Sequence, residues 1–143
     1  ALDLTQRPPR SPRVRLGGYV ILPRVLDKGR AVLCGKNGLY NYACPLDQHF
    51  LSFTGIDPEK LKEQLAAGKS DNEILTWVRS QVNHTPWEIA QWSAWHEQRG
   101  PSGSETIGYF KQILDSTGTD REDITTWFDL LDLDDYVSFL PKS

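Results

Sequence analysis

The sequence predicts an all-α fold, a single compact domain of six or seven short helices, and three observations carry that prediction. Helix N-terminal capping signals recur along the chain, glycines close the stretches those signals open, and between the two marks apolar residues return every three or four positions. At 143 residues the chain has the length of one domain. Five Trp, five Tyr and five Phe give it much of the apolar area a core needs.

In chain order, the first helix is expected from about Leu22 to Leu33, with Pro23 in its first turn, where a missing N–H costs nothing. A short helix is expected from Pro45 to Phe53. Asp57 followed by Pro58 starts the next, with Ile56 and Leu61 placed as a hydrophobic staple across the start. Ser70-Asp71-Asn72-Glu73 is a capping box opening the helix of Ile74, Leu75, Val78 and Val82. Thr85-Pro86-Trp87-Glu88 repeats the device ahead of Ile89, Trp92 and Trp95. Ile107, Phe110 and Leu114 line a sixth helix. Thr119-Asp120-Arg121-Glu122 is expected to open the last, which carries Ile124, Trp127, Phe128 and Leu131. Gly55, Gly68, Gly100 and Gly118 read as stops. Lys36 to Ala43, turning at Asn37-Gly38 with Tyr40 and Tyr42 in alternation, reads as one small β-hairpin.

The net charge of −3 conceals an asymmetry: residues 1–36 carry a net +6 and residues 37–143 a net −9. Residues 1–15 therefore read as a basic, Arg- and Pro-rich arm, and residues 16–143 as the helical domain. Arg7, Arg10, Arg13 and Arg15 could dock on an acidic surface, in this chain, in a second copy or in an acidic protein partner. A DNA partner is not expected, because the rest of the chain would repel phosphate and the helix after Ser70 offers only Arg79. No apolar run is long enough to span a membrane and no signal peptide is visible, so a cytoplasmic location is expected. Cys34 and Cys44 then read as reduced thiols.

Two segments carry a resemblance. Leu16-Gly17-Gly18-Tyr19-Val20-Ile21-Leu22-Pro23-Arg24 with Leu26-Asp27-Lys28, and Thr126-Trp127-Phe128-Asp129-Leu130-Leu131-Asp132-Leu133-Asp134-Asp135-Tyr136, resemble a family of small bacterial proteins catalogued as a domain of unknown function. The resemblance spans nearly the whole chain. It implies a stand-alone soluble bacterial protein and brings no reaction, substrate, cofactor or site, so candidate residues must be argued from their own chemistry.

Arg24, Asp27, Lys28 and Arg30 fall within seven residues of one helix, where Arg24 neighbours both Asp27 and Lys28. Left open to water they form surface ion pairs worth roughly 0–1 kcal/mol each. Roofed by another element they form an anion site in which Asp27 orients the arginines or acts as a base. Tyr40, Tyr42, Asp47 and His49 form a second cluster, His49 being its group that titrates near neutrality and the second candidate base. Glu88, Trp92 and His96 share one helix face with Trp95 beside them. With Trp87 they could form an aromatic ligand wall, but the tryptophans are read as core, with His96 exposed near the helix C-terminus. Asp129 and Asp132 are weak metal candidates, since no calcium-loop glycine and glutamate accompany them; no metal is assigned and no cofactor is named. Trp127 and the other aromatic residues of the tail suggest that it packs, turning acids inward at Arg24 or Arg30.

The function expected on these grounds is binding of a small anionic or zwitterionic metabolite where the first helix, the tyrosine segment and the acidic tail converge. Arg24, Lys28, Arg30, Tyr40, Tyr42, Asp47 and Trp127 are the candidate ligand-binding residues. Asp27 and His49 would serve any acid–base step, and whether the protein is an enzyme is left open. The alternative is a protein-interaction or homo-oligomeric assembly module docking through the basic arm and the acidic tail.

Overall fold

Residues 22–29 of the first helix are all buried, and the rest of the chain is wrapped around them. The structure, a computed structural model, describes residues 2–141. Its helices are α1 (Leu22–Leu33), α2 (Pro45–Thr54), α3 (Pro58–Ala66), α4 (Asp71–Gln81), α5 (Pro86–Gln98), α6 (Ser104–Ser116) and α7 (Trp127–Ser138). Among the described residues no strand forms, and the only pairing of that kind is an isolated bridge between Leu16 and Tyr19.

The capping signals at α3, α4 and α5 act where the sequence places them. The Asp57 carboxylate accepts the Glu59 N–H, and Ser70 with Glu73 and Thr85 with Glu88 form complete capping boxes. The Ile56–Leu61 staple is buried in the core. Two expectations are corrected. Residues 36–43 form two turns rather than a hairpin, because neither tyrosine faces a paired strand: the Tyr40 hydroxyl donates to Asp135 and the Tyr42 hydroxyl to the Pro58 carbonyl. The last helix starts at Trp127 instead of after Thr119, since the box that closes is Thr126 with Asp129, whose carboxylate accepts the N–H groups of both Thr125 and Thr126.

The main core gathers Tyr19, Val20, Leu22, Val25, Leu26 and Phe50 with the inner faces of α3 and α4, and Phe128 joins it from α7. A smaller cluster of Phe110, Ile124, Leu130 and Leu133 joins α6 to α7. Before α1 the chain turns tightly at Gly17 and Gly18, both at positive φ, and a side chain at Gly17 would strike Leu75. Gly29 serves α1 differently, by allowing close approach. A Cβ there would lie 2.5 Å from Leu65 Cδ1 and 3.0 Å from Tyr42 Cε1. Gly29→Val is therefore expected to destabilise the fold by about 1–3 kcal/mol through overpacking. Urea unfolding would measure this, and an unchanged midpoint would show that α1 and α3 separate freely.

The N-terminal segment is packed on the domain. Leu4, Pro9 and Pro12 are buried, the Leu4 N–H donates to the Lys36 carbonyl, and the Pro12 carbonyl accepts the Ile21 N–H at the start of α1. Three of its four guanidiniums are spent within the chain: Arg10 pairs with Asp27 and Asp71, Arg13 with Asp129 and Asp132, and Arg15 with Glu97, while Arg7 is exposed.

Candidate functional site

Because α1 is enclosed on every side, its charged residues each need a partner from a different element. Arg24, 3% exposed, donates from Nη1 to Asp135 Oδ2 on α7 at 2.7 Å and from Nη2 to Asp135 Oδ1 at 3.2 Å. Lys28, 2% exposed, donates to Asp47 Oδ1 on α2 at 2.7 Å. Asp27 faces the N-terminal segment and accepts the backbone N–H, Nε and Nη2 of Arg10 at 2.9, 3.0 and 3.0 Å. Arg30 donates to Asp71 Oδ1 at 2.8 Å. The four charges that share seven residues of sequence thus diverge to three contacts: Arg24 to Asp135, Lys28 to Asp47, and Asp27 with Arg30 into one network through Arg10 and Asp71. The intrahelical pairs available from their spacing give way to tertiary ones.

Two of these contacts, those of Arg24 and Lys28, meet at a cleft of about 940 Å³ between α1, the 38–44 segment, α7, Tyr109 of α6 and Leu4 with Thr5. Arg24, Lys28, Tyr40 and Cys44 line it from one side, and Asp134, Asp135 and Phe139 from α7. Tyr40 stacks on Phe139, lies under the Arg24 guanidinium and donates to Asp135 Oδ1 at 2.8 Å. Burial and the carboxylate it donates to push its phenol above the ordinary range, so at neutral pH it is a donor. Asp134, although exposed, is raised by partial desolvation and by the neighbouring Asp135. Arg24 Nε is sealed from solvent and has no partner among the described residues. The Lys28 ammonium, with three protons, has two partners among the described residues, Asp47 and Cys44 Sγ.

Local backbone geometry holds the lysine's partners in place. Ala43 sits at φ 58°, a left-handed conformation unusual for a residue with a Cβ, and its N–H is accepted by Asp47 Oδ2 at 2.9 Å. That bond ties the segment before α2 to the carboxylate that holds Lys28, with Cys44 as the N-cap between them.

The other predicted site residues lie elsewhere. Asp27 and Arg30 do not line the cleft, and Tyr42 is tied to α3. Asp47 is fully buried behind Lys28 and cannot meet a ligand directly. Trp127 packs on Phe110 and Tyr109. Asp129 and Asp132 bracket Arg13, and among the described residues no group of three His, Cys, Asp or Glu is placed to hold a metal ion. His49 belongs to another cluster, where its Nε2 accepts from Arg99 Nη2 at 3.2 Å and its ring lies 4.7 Å from that of His96. His96 is 3% exposed, contrary to the expectation that it caps the end of α5 in solvent. Trp92 and Trp95 flank it, while Trp87 and Trp95 face outward where core was expected.

Residues not singled out from sequence include Cys44, Asp134 as a wall of the cleft, and Asp135 as the acid that meets Arg24. The signal for the last two was the helical register of α7, in which Leu131, Asp134, Asp135 and Ser138 share the face turned to α1.

No helix among the described residues is long and apolar enough to cross a membrane. Comparison with curated proteins finds no match. A family model described as "Domain of unknown function (DUF5069)" matches residues 6–137, which takes in Arg10 that clamps Asp27, most of the cleft lining and nearly all of α7, and the chain belongs to that family.

Proposed function

We propose that this chain is a small-molecule-binding domain whose cleft takes a zwitterionic metabolite. The observation that carries the reading is the charge pattern of the lining. Each cation already has one carboxylate, Arg24 with Asp135 and Lys28 with Asp47, so a simple anion would meet little excess positive charge. The cationic side chains of Arg24 and Lys28 on the lining suit a ligand carboxylate. Asp134, which has no cation within ion-pair distance among the described residues, suits a ligand ammonium, and Leu46, Leu131 and Phe139 suit an apolar portion. Any proton transfer in the cleft falls to Asp134, since Asp27 and His49 lie outside it. A cytoplasmic, bacterial setting belongs to the same reading, with Cys34 and Cys44 unpaired. Assembly through the N-terminal segment has less support, because Arg10, Arg13 and Arg15 are already paired within the chain.

The test is a thermal-shift panel of amino acids, dicarboxylates, phosphates and amines. A zwitterion at about a hundred times its dissociation constant should add about 2.7 kcal/mol, a shift of several degrees. Asp134→Asn should fold normally, since the residue is exposed, and should weaken binding of the zwitterion by about tenfold. A panel in which anions alone shift the midpoint, or an Asp134→Asn variant with unchanged binding, would sink the zwitterion reading.

A further inference from the structure

The chain has two thiols in opposite electrostatic settings. Cys34 is exposed and sits at the C-terminal end of α1, where the helix carbonyls present partial negative charge. Cys44 is half-buried and is the N-cap of the ten-residue α2, where the partial charge is positive. Its Sγ lies 3.1 Å from the Lys28 ammonium, which is itself held from behind by the fully buried Asp47. Cys44 also lines the cleft, and the same lining carries Arg24, 3% exposed and held by Asp135. Cys44, the Lys28 side chain that holds its sulfur and the Arg24 side chain therefore line one volume large enough for a small molecule.

We propose that Cys44 is a covalent site of this cleft, exchanging with a small zwitterionic disulfide, one whose halves carry amino and carboxylate groups. The proposal rests on the reading of the cleft as a zwitterion site and adds a reaction to it. The thiolate of Cys44 attacks one sulfur of the disulfide. The disulfide S–S bond breaks, a new one forms to Cys44, and the other half leaves as a thiolate that takes up the proton Cys44 released. Cys44 sulfur is oxidised and the departing sulfur reduced, so no outside oxidant is needed. The Lys28 ammonium holds negative charge on sulfur through the exchange, by the hydrogen bond it already makes to Sγ. The half-molecule retained on Cys44 places its carboxylate within the cleft that Arg24 and Lys28 line.

The experiment follows both thiols of the native chain by peptide mass mapping at neutral pH, with cystine as the zwitterionic disulfide and hydroxyethyl disulfide as an uncharged one. Cys44 should take up half-cystine about tenfold faster than Cys34, despite its lower exposure, and Cys44 should prefer cystine to hydroxyethyl disulfide more strongly than Cys34 does. A Cys34→Ser variant should leave the Cys44 rate unchanged. Exchange at Cys44 no faster than at Cys34 overturns the site, and equal preference at the two thiols overturns the zwitterionic class. Cys44→Ser separates the two readings. If its thermal-shift response to zwitterions persists while native Cys44 exchanges slowly, the covalent step alone has failed. If that response is absent from the native chain as well, the reading of the cleft has failed with it.

Discussion

Replacing Asp47 with alanine is expected to destabilise the fold by about 3–5 kcal/mol, the usual consequence of removing one member of a buried ion pair. Asp47 has no exposed surface, and its two oxygens serve different partners: Oδ1 accepts from Lys28 and Oδ2 from the N–H of Ala43. The substitution strands an ammonium on a helix with no solvated face at that position, and it releases the amide of a residue held at positive φ. For a chain of this size that corresponds to a fall of about 10 °C or more in Tm. Urea unfolding at neutral pH checks the prediction. A loss under about 1 kcal/mol would mean that water from the cleft reaches Lys28 and solvates it.

The paired substitution says what the ion pair is for. Lys28→Met with Asp47→Asn keeps the side-chain volumes and leaves an amide oxygen to accept the Ala43 N–H, so the charges go and the packing stays. Replacing a buried pair in this way is often neutral for stability or better. A double variant that folds as well as the native chain, yet no longer responds to zwitterions, would place the value of the Lys28–Asp47 pair in the cleft. A double variant as unstable as Asp47→Ala would place it in the fold.

The helices were legible because their starts are written locally. Asp57, Ser70 and Thr85 each cap through a hydrogen bond to a backbone N–H two or three residues on, which requires nothing from the rest of the chain. The start of α7 was not, because Thr119–Glu122 and Thr126–Asp129 are equally good boxes, and the choice is made by distant contacts: the Arg99 carbonyl accepts the Trp127 N–H, and Arg13 binds Asp129. The alternation of Tyr40 and Tyr42 imitated a strand because two unrelated tertiary hydrogen bonds happen to lie two residues apart.

The site divides in the same way. That Arg24 and Lys28 share a face follows from a spacing of four on a helix, and both do line the cleft. Which of the tail's acids meets Arg24 depends on the register of α7 against α1, a non-local quantity, and it is Asp135 rather than Asp129 or Asp132, which bracket Arg13. Asp27 was recognised as chemically notable, but its partner lay in a segment read as a separate arm, and Arg10 turns it from a candidate base into a structural anchor.

Acid should lower the stability of this protein over two pH windows, the first set by imidazoles. Burial, reinforced by His49 and Arg99, lowers the pKa of His96 from 6.5 to about 4, and burial with Arg99 lowers that of His49. A base whose folded pKa lies below its unfolded one is held neutral by the fold. Between pH 6.5 and 4 the unfolded chain therefore binds more protons than the folded one. The stability associated with His96 is complete above about pH 6.5, declines as pH falls through that window and levels off below it, a total of about 3 kcal/mol. The carboxylates act later. Asp71 would be raised by its burial, but hydrogen bonds from Arg10 and Arg30 hold it below its ordinary 3.8, so its contribution disappears only as pH falls below that value. His96→Phe retains a ring against Trp92 and Trp95 and removes the titration. Unfolding free energies measured from pH 7 to 4.5 should show a shallower slope in this variant than in the native chain. Parallel slopes would mean that His96 stays in contact with water and takes up its proton in the folded state.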